Sequence, residues 1–67
     1  MYTIREAASR AGVSVSTIRA WERRYGIVSP ARSAAAYRLY ASEEIETLRR
    51  MRRLVATGWA PSVAAAA

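Results

Sequence analysis

SVSTIRAWERRYG, residues 14–26, is the stretch that decides the fold of this 67-residue chain. Ser14 is a preferred helix-start residue and Gly26 a preferred helix-stop residue, so the stretch is bounded as one helix over about 15–25. Apolar side chains recur within it about once per helical turn. They are Val15, Ile18, Trp21 and Tyr25. One face of this helix is therefore predicted to pack against a core.

The opposite face of the predicted helix is small and hydroxylated at its N-terminal end and basic further along. Its members are Ser16, Thr17, Arg19, Ala20, Arg23 and Arg24. Small side chains let a helix backbone approach a DNA groove, and guanidinium groups bond to phosphates and guanine edges. The face therefore predicts a helix that enters a DNA groove.

A second helix is predicted immediately before this one, over about 3–11. Thr3 and Glu6 have the spacing of a capping box, in which each residue's side chain bonds to the other's backbone amide. Gly12 then ends the helix, and Ser14 starts the next one. Two helices separated by about three residues favour a helix-turn-helix, although a glycine corner also occurs in other helical hairpins.

The residues after Gly26, about 27–40, lack a helical period and read as a small β-hairpin. Pro30 disfavours helix, and residues 37–40 alternate as a strand does. Basic and aromatic residues interleave here, which is typical of nucleic-acid contact; they are Arg32, Tyr37, Arg38 and Tyr40. Residues 34–36 are all alanine, which suits a hairpin tip poorly. An ordinary interhelix loop is the alternative.

Two more helices are predicted, over about 42–57 and 61–67. Ser42 is expected to cap the first of them, and Glu46 to pair with Arg50 on its surface. Trp59 is expected to cover the core. Basic residues lie toward the end of the helix predicted over 42–57, where they suit the helix dipole. They indicate a solvated face or phosphate contacts, and they are Arg49, Arg50, Arg52 and Arg53.

Composition restricts the function further. The net charge is +6, and all eleven basic residues are arginine, which favours a nucleic-acid partner, although a GC-rich genome gives the same bias. The absence of cysteine and histidine excludes disulfides, thiolate zinc sites and histidine catalysis within these residues, and we expect no enzyme. No apolar run reaches membrane-spanning length, so we expect a cytoplasmic protein.

Several short motifs occur in sequence along nearly the whole chain, and their order and spacing are specific in combination. They are Tyr2-Thr3-Ile4, Ala7-Ala8, Gly12-Val13-Ser14, Thr17-Ile18-Arg19, Trp21-Glu22-Arg23-Arg24-Tyr25-Gly26, Pro30, Arg32 and Tyr37-Arg38-Leu39-Tyr40. Together they resemble the DNA-binding domain of MerR-family transcription regulators. The segment 20–26 is most similar to the subgroup of cobalamin-binding, light-responsive repressors. Two residues depart from the pattern, since Ala36 stands where the wing usually ends in glycine and Ala41 cannot cap a helix.

The resemblance implies a mainly α, winged helix-turn-helix fold of MerR type, with the wing over about 27–40. It implies that Arg19 contacts the DNA backbone, that Ser16, Thr17 and Ala20 face the groove, and that Arg32 and Arg38 approach phosphates. Trp21 and Tyr25 pack in the core or touch DNA by a ring edge. Glu22 is expected to be a structural partner for a nearby arginine.

Sequence-specific binding of double-stranded DNA by a bacterial regulator is the leading interpretation of these patterns. The alternatives are a stand-alone architectural protein of excisionase type and a protein-interaction module bound by an acidic antirepressor. The resemblance also leads us to expect a fragment of a longer regulator that forms a homo-oligomer through missing C-terminal regions. No cofactor is expected in this chain, whereas a missing C-terminal effector domain is a candidate site for cobalamin.

Overall fold

The computed structural model describes residues 1–28, 31–32 and 38–67, with the backbone alone for residues 31, 32 and 38. Within these residues the chain is mainly helical. Its elements, in order, are α1 (Ile4–Ala11), α2 (Val15–Tyr25), β1 (Ala31–Arg32), β2 (Arg38–Leu39), α3 (Ser42–Ala56) and α4 (Pro61–Ala66). The two short strands pair antiparallel, with Ala31 opposite Leu39 and Arg32 opposite Arg38. The hairpin tip predicted at residues 33–36 lies outside the described residues.

The start of α1 is closed by the predicted capping box. The Thr3 backbone N–H donates to Glu6 Oε1 at 2.9 Å, and the Glu6 N–H donates to Thr3 Oγ1 at 3.3 Å. The hydrogen bond from the Thr3 backbone, followed by that from its side chain, lowers the pKa of the Glu6 carboxyl below its usual range. The capping box is therefore confirmed.

A glycine corner joins α1 to α2. Gly12 adopts a left-handed conformation with φ of 74°, and its N–H donates to the Ala8 carbonyl at 2.9 Å. Ser14 then caps α2 by accepting the Thr17 N–H at 3.1 Å. These two local signals turn the chain and fix where α2 begins.

One apolar cluster holds the helices together. Ile18, Leu48 and Tyr40 are its largest fully buried members. The other buried members are Ala7, Ala8, Ala11, Trp21, Val28, Ile45, Met51 and Ala64. The alanines of α1 let the helices approach closely, so the core packs the small side chains of α1 against larger side chains from the other elements. Tyr40 is also fixed by its backbone, which exchanges two hydrogen bonds with Tyr2 at 2.7 and 2.8 Å.

Three details of the second half differ from the sequence prediction. Ala41, not Ser42, occupies the N-cap of α3, and the Glu44 carboxylate compensates by accepting the Ala41 N–H at 2.9 Å. Glu46 pairs with Arg49 and not with Arg50. Trp59 is 43% exposed instead of covering the core, whereas Ala64 of α4 is buried in it.

Candidate nucleic-acid interface

The inner face of α2 is fixed in the core. Ile18 is fully buried, Trp21 is only 9% exposed, and Tyr25 is half-buried against the same cluster. The choice left open for Trp21 is therefore decided in favour of core packing. With this face held, the opposite side of α2 has a defined direction toward solvent.

The outer face of α2 brings together the six residues predicted from the sequence. Ser16, Arg19, Arg23 and Arg24 are exposed, while Thr17 and Ala20 are half-buried at the edges of the face. Residues three and four apart lie on one side of a helix, so Arg19 and Arg23 stand next to each other above Ser16. The result is a surface with hydroxyl groups at its N-terminal end and guanidinium groups along the rest.

The hydroxyl groups at the start of α2 form a small cluster. Ser14 Oγ lies 2.8 Å from Thr17 Oγ1 and 3.1 Å from Ser16 Oγ, in addition to capping the helix. The cluster orders three short polar side chains at the N-terminal end of α2. Such side chains can donate or accept hydrogen bonds with base edges.

Glu22 lies on the boundary between the two faces and is half-buried. Its Oε2 accepts a hydrogen bond of 2.8 Å from the hydroxyl of Tyr40. The sequence places Tyr40 in a basic and aromatic patch that is typical of nucleic-acid contact. The Tyr40 ring is fully buried, so it packs in the core instead. Glu22 and Tyr40 are eighteen positions apart, so no local pattern in the sequence indicates their contact.

The remaining predicted site residues lie on or between the short strands. The backbones of Arg32 and Arg38 stand opposite each other in the β1–β2 pair. Tyr37 lies outside the described residues. The structure thus brings two arginine positions together, beyond the C-terminal end of α2 in the chain.

Two further features were searched for in the described part of the chain. No group of three histidine, cysteine or acidic residues there is arranged to hold a metal ion. None of the helices described is long and apolar enough to cross a membrane.

A helix-turn-helix whose second helix carries a basic, solvent-facing side defines a class of DNA-binding proteins. Residues 2–66 match the family described as MerR HTH family regulatory protein. Because the match covers nearly the whole chain, the chain belongs to the MerR family of helix-turn-helix regulators.

Named relatives agree with this assignment. The chain is 48% identical over 64 residues to the HTH-type transcriptional repressor CarH of Myxococcus xanthus, covering 96% of the chain and 21% of that protein. It is 49% identical over 53 residues to the repressor CarA of the same organism, covering 78% of the chain and 18% of CarA. It is 36% identical over 58 residues to the regulator MlrA of Escherichia coli, covering 87% and 24%.

The chain spans about a fifth of the length of these relatives. The relatives are transcription regulators and not enzymes, as the sequence predicts for this chain. The resemblance to the MerR family that the motifs indicated is confirmed.

Proposed function

We propose that this chain binds a specific sequence of double-stranded DNA and thereby regulates transcription, with α2 in the major groove. The observation that carries the proposal is the outer face of α2, where three exposed arginines follow a cluster of hydroxyl groups. The fixed inner face supports it, because a buried Ile18 and Trp21 prevent α2 from rotating. A helix held in one orientation presents the same side chains to every DNA molecule.

The outer face of α2 offers two kinds of contact with DNA. Arg19, Arg23 and Arg24 bind phosphates or guanine edges, since guanidinium groups suit both. The smaller side chains at the start of α2 approach the bases; they are Ser16, Thr17 and Ala20. Phosphate contacts set the position of the domain, and base contacts set the sequence that it prefers.

A wing is proposed as the second contact. Residues 27–40 would form a small β-hairpin, giving a winged helix-turn-helix, with Arg32, Tyr37 and Arg38 against the DNA backbone or the minor groove. The antiparallel β1–β2 pair supports this arrangement, because it holds positions 32 and 38 side by side. Two neighbouring guanidinium groups suit the closely spaced phosphates of one strand.

The proposal covers DNA binding at the bacterial nucleoid and no other ligand. We assign no cobalamin-binding role and no antirepressor to residues 1–67. A single domain that neutralises about five phosphates binds weakly at physiological salt. Repeated half-sites bound by an oligomeric regulator raise the affinity through effective concentration.

Selection of bound duplexes from a random pool tests the proposal. We expect one enriched sequence, and an affinity that falls with salt at a log–log slope of about −4 to −5 for roughly five phosphates. Failure to retain any duplex at low salt would overturn the proposal. Cooperative laddering on arbitrary DNA without an enriched sequence would contradict it in favour of an architectural protein.

A further inference from the structure

A side-chain hydrogen bond joins α2 to the segment that carries the two short strands. Tyr40, the residue after β2, donates its hydroxyl to Glu22 Oε2 at 2.8 Å, across eighteen positions of the chain. The bond therefore links the helix that carries the outer-face arginines to the residue at which β2 ends. The roles of Glu22 and Tyr40 in binding follow from how each is held.

Tyr40 is anchored to the rest of the domain independently of Glu22. Its ring is fully buried in the core, and its backbone exchanges hydrogen bonds of 2.7 and 2.8 Å with Tyr2, which directly precedes the N-cap of α1. Tyr40 also directly precedes Ala41, the N-cap of α3. Because the ring and the backbone are both held, the Tyr40 hydroxyl has a fixed position relative to α1 and α3.

Both ends of the bond lie close to arginines that are predicted to contact DNA. Glu22 comes directly before Arg23 and three residues after Arg19, so it lies beside the outer face of α2. At the other end, the backbone of Arg38 stands two residues before Tyr40, about 7 Å away along an extended chain. A change in the bond therefore moves these two groups of arginines relative to each other.

A hydrogen bond constrains these two parts in a way that apolar packing does not. Burial of Ile18 and Trp21 decides which side of α2 faces inward, but the hydrophobic effect has no preferred direction. A hydrogen bond has a preferred length and angle, and one that a carboxylate accepts is about twice as strong as a neutral one. The bond between Glu22 and Tyr40 therefore restricts the separation of α2 from the β1–β2 pair more closely than the core does alone.

We propose that Glu22 and Tyr40 are positioning residues for DNA recognition, whose hydrogen bond holds the outer face of α2 and the β1–β2 pair at the separation that one duplex requires. The inference rests on the proposed function and deepens it. Two protein surfaces bind the same molecule best when their separation is set before binding, because less ordering is then needed. Loss of the bond should weaken binding and reduce the preference for one spacing, although neither residue touches DNA.

Tyr40→Phe tests the pair, since it keeps the buried ring and removes only the hydroxyl. Affinity is measured, where circular dichroism shows each variant folded, for the duplex selected by the unmodified chain. It is also measured for that duplex with one base pair inserted between the segments that α2 and the β1–β2 pair protect in footprinting. Affinity for the selected duplex should fall by about three- to tenfold, comparable to the cost of ordering one flexible side chain. Affinity for the inserted duplex should change less, so the ratio of the two affinities should decrease.

A double-mutant cycle shows whether this effect passes through Glu22. In a Glu22→Ala background, Tyr40→Phe should leave both affinities unchanged, because the hydrogen bond is already absent. An undiminished effect of Tyr40→Phe in that background overturns the positioning role. So does a new preferred base pair for Glu22→Ala, which would mean that Glu22 reads DNA directly. Should Glu22→Ala fail to fold, Tyr40→Phe and its control decide the question on their own.

Ala64→Gly is the matched control for lost stability. Ala64 is buried on α4, outside both α2 and the strands, and glycine there removes a buried methyl group and lowers helix propensity. This variant should melt at a lower temperature, as Tyr40→Phe should, but keep both affinities. Equal losses of affinity in the two variants would assign the effect to stability and overturn the inference, as would a Tyr40→Phe variant that binds both duplexes like the unmodified chain. An unmodified chain that binds no duplex overturns the proposed function itself.

Discussion

The two faces of α2 are built from the same eleven-residue helix and yet are held by different forces. The inner face is fixed by burial, with Ile18 fully enclosed and Trp21 nearly so. The outer face carries exposed arginines, and the burial of the inner face fixes the direction in which they point. Changes to the inner face should therefore alter stability, and changes to the outer face should alter binding.

This separation has a consequence for how the domain tolerates substitution. A domain of this size has roughly 3–10 kcal/mol of stability in total, at 0.05–0.15 kcal/mol per residue. Loss of one inner side chain removes a large part of that reserve. Loss of one outer arginine removes almost none of it, so the outer face is free to be matched to a particular DNA sequence.

Ile18→Ala should have the largest effect on stability. Deleting most of a buried aliphatic side chain leaves a cavity and costs about 2–5 kcal/mol. Thermal denaturation followed by circular dichroism should show a much lower or broadened transition. Val63→Ala is the control, because Val63 is 55% exposed and its truncation should change stability by no more than about 0.5 kcal/mol. A melt of Ile18→Ala at the original temperature would contradict the burial of the inner face.

Tyr40→Phe should have the next largest effect. It removes the buried hydroxyl that donates to Glu22 at 2.8 Å, and hydrogen bonds to charged groups are worth about 1.5–3 kcal/mol. A double-mutant cycle with Glu22→Gln, measured by denaturant unfolding, should give a coupling of at least about 0.5 kcal/mol. Additive single effects would mean that the contact between Glu22 and Tyr40 does not stabilise α2 against the residue that follows β2.

Ser14→Ala tests the N-cap of α2, which also belongs to the hydroxyl cluster. Loss of the N-cap should cost about 1 kcal/mol, which lowers the melting temperature of a small domain by about 4–8 °C. Ser14→Asp separates helix capping from an effect on DNA binding, since aspartate also caps a helix but repels phosphates. Ser14→Asp should keep the stability of the parent and weaken DNA binding. A Ser14→Asp variant that keeps both the stability and the DNA affinity of the parent would show that Ser14 acts only as the helix cap.

Most of the fold could be predicted from the sequence because its signals are local. The capping box at Thr3 and Glu6, the glycine corner and the apolar period of α2 each depend on residues within one or two turns. The start of α3 at Ser42 agrees with the prediction, but its predicted N-cap is wrong by one residue. Ser42 matches the preference for a cap, but the extended backbone occurs at Ala41, where a reaching carboxylate from Glu44 takes over.

The candidate site could be predicted only on its helical part. The period that places Ile18 inside also places Arg19 and Arg23 outside, so one pattern gives both faces of α2. The hydrogen bond between Tyr40 and Glu22 and the one between Arg49 and the Arg10 carbonyl each join residues far apart in the chain. Such contacts depend on how elements pack, which no spacing along one element reveals. The roles of Arg32, Tyr37 and Arg38 stay predictions.

Arg19→Ala should have the smallest effect on stability and the clearest effect on binding. The side chain is exposed, so the melting temperature should match that of the parent, with a change in the free energy of unfolding of no more than about 0.5 kcal/mol. Affinity should fall for selected and unrelated duplexes alike, and the log–log salt slope should become shallower by about 1, because one phosphate contact is lost. Arg50→Ala is the control, because Arg50 is an exposed arginine of α3 that lines a cavity with Ile27 and Ala64 and is not on the outer face of α2. If Arg19→Ala folds and binds as the parent does, the outer face of α2 does not meet the backbone as proposed. If it instead loses one preferred base pair while keeping its slope, Arg19 reads a guanine edge rather than a phosphate.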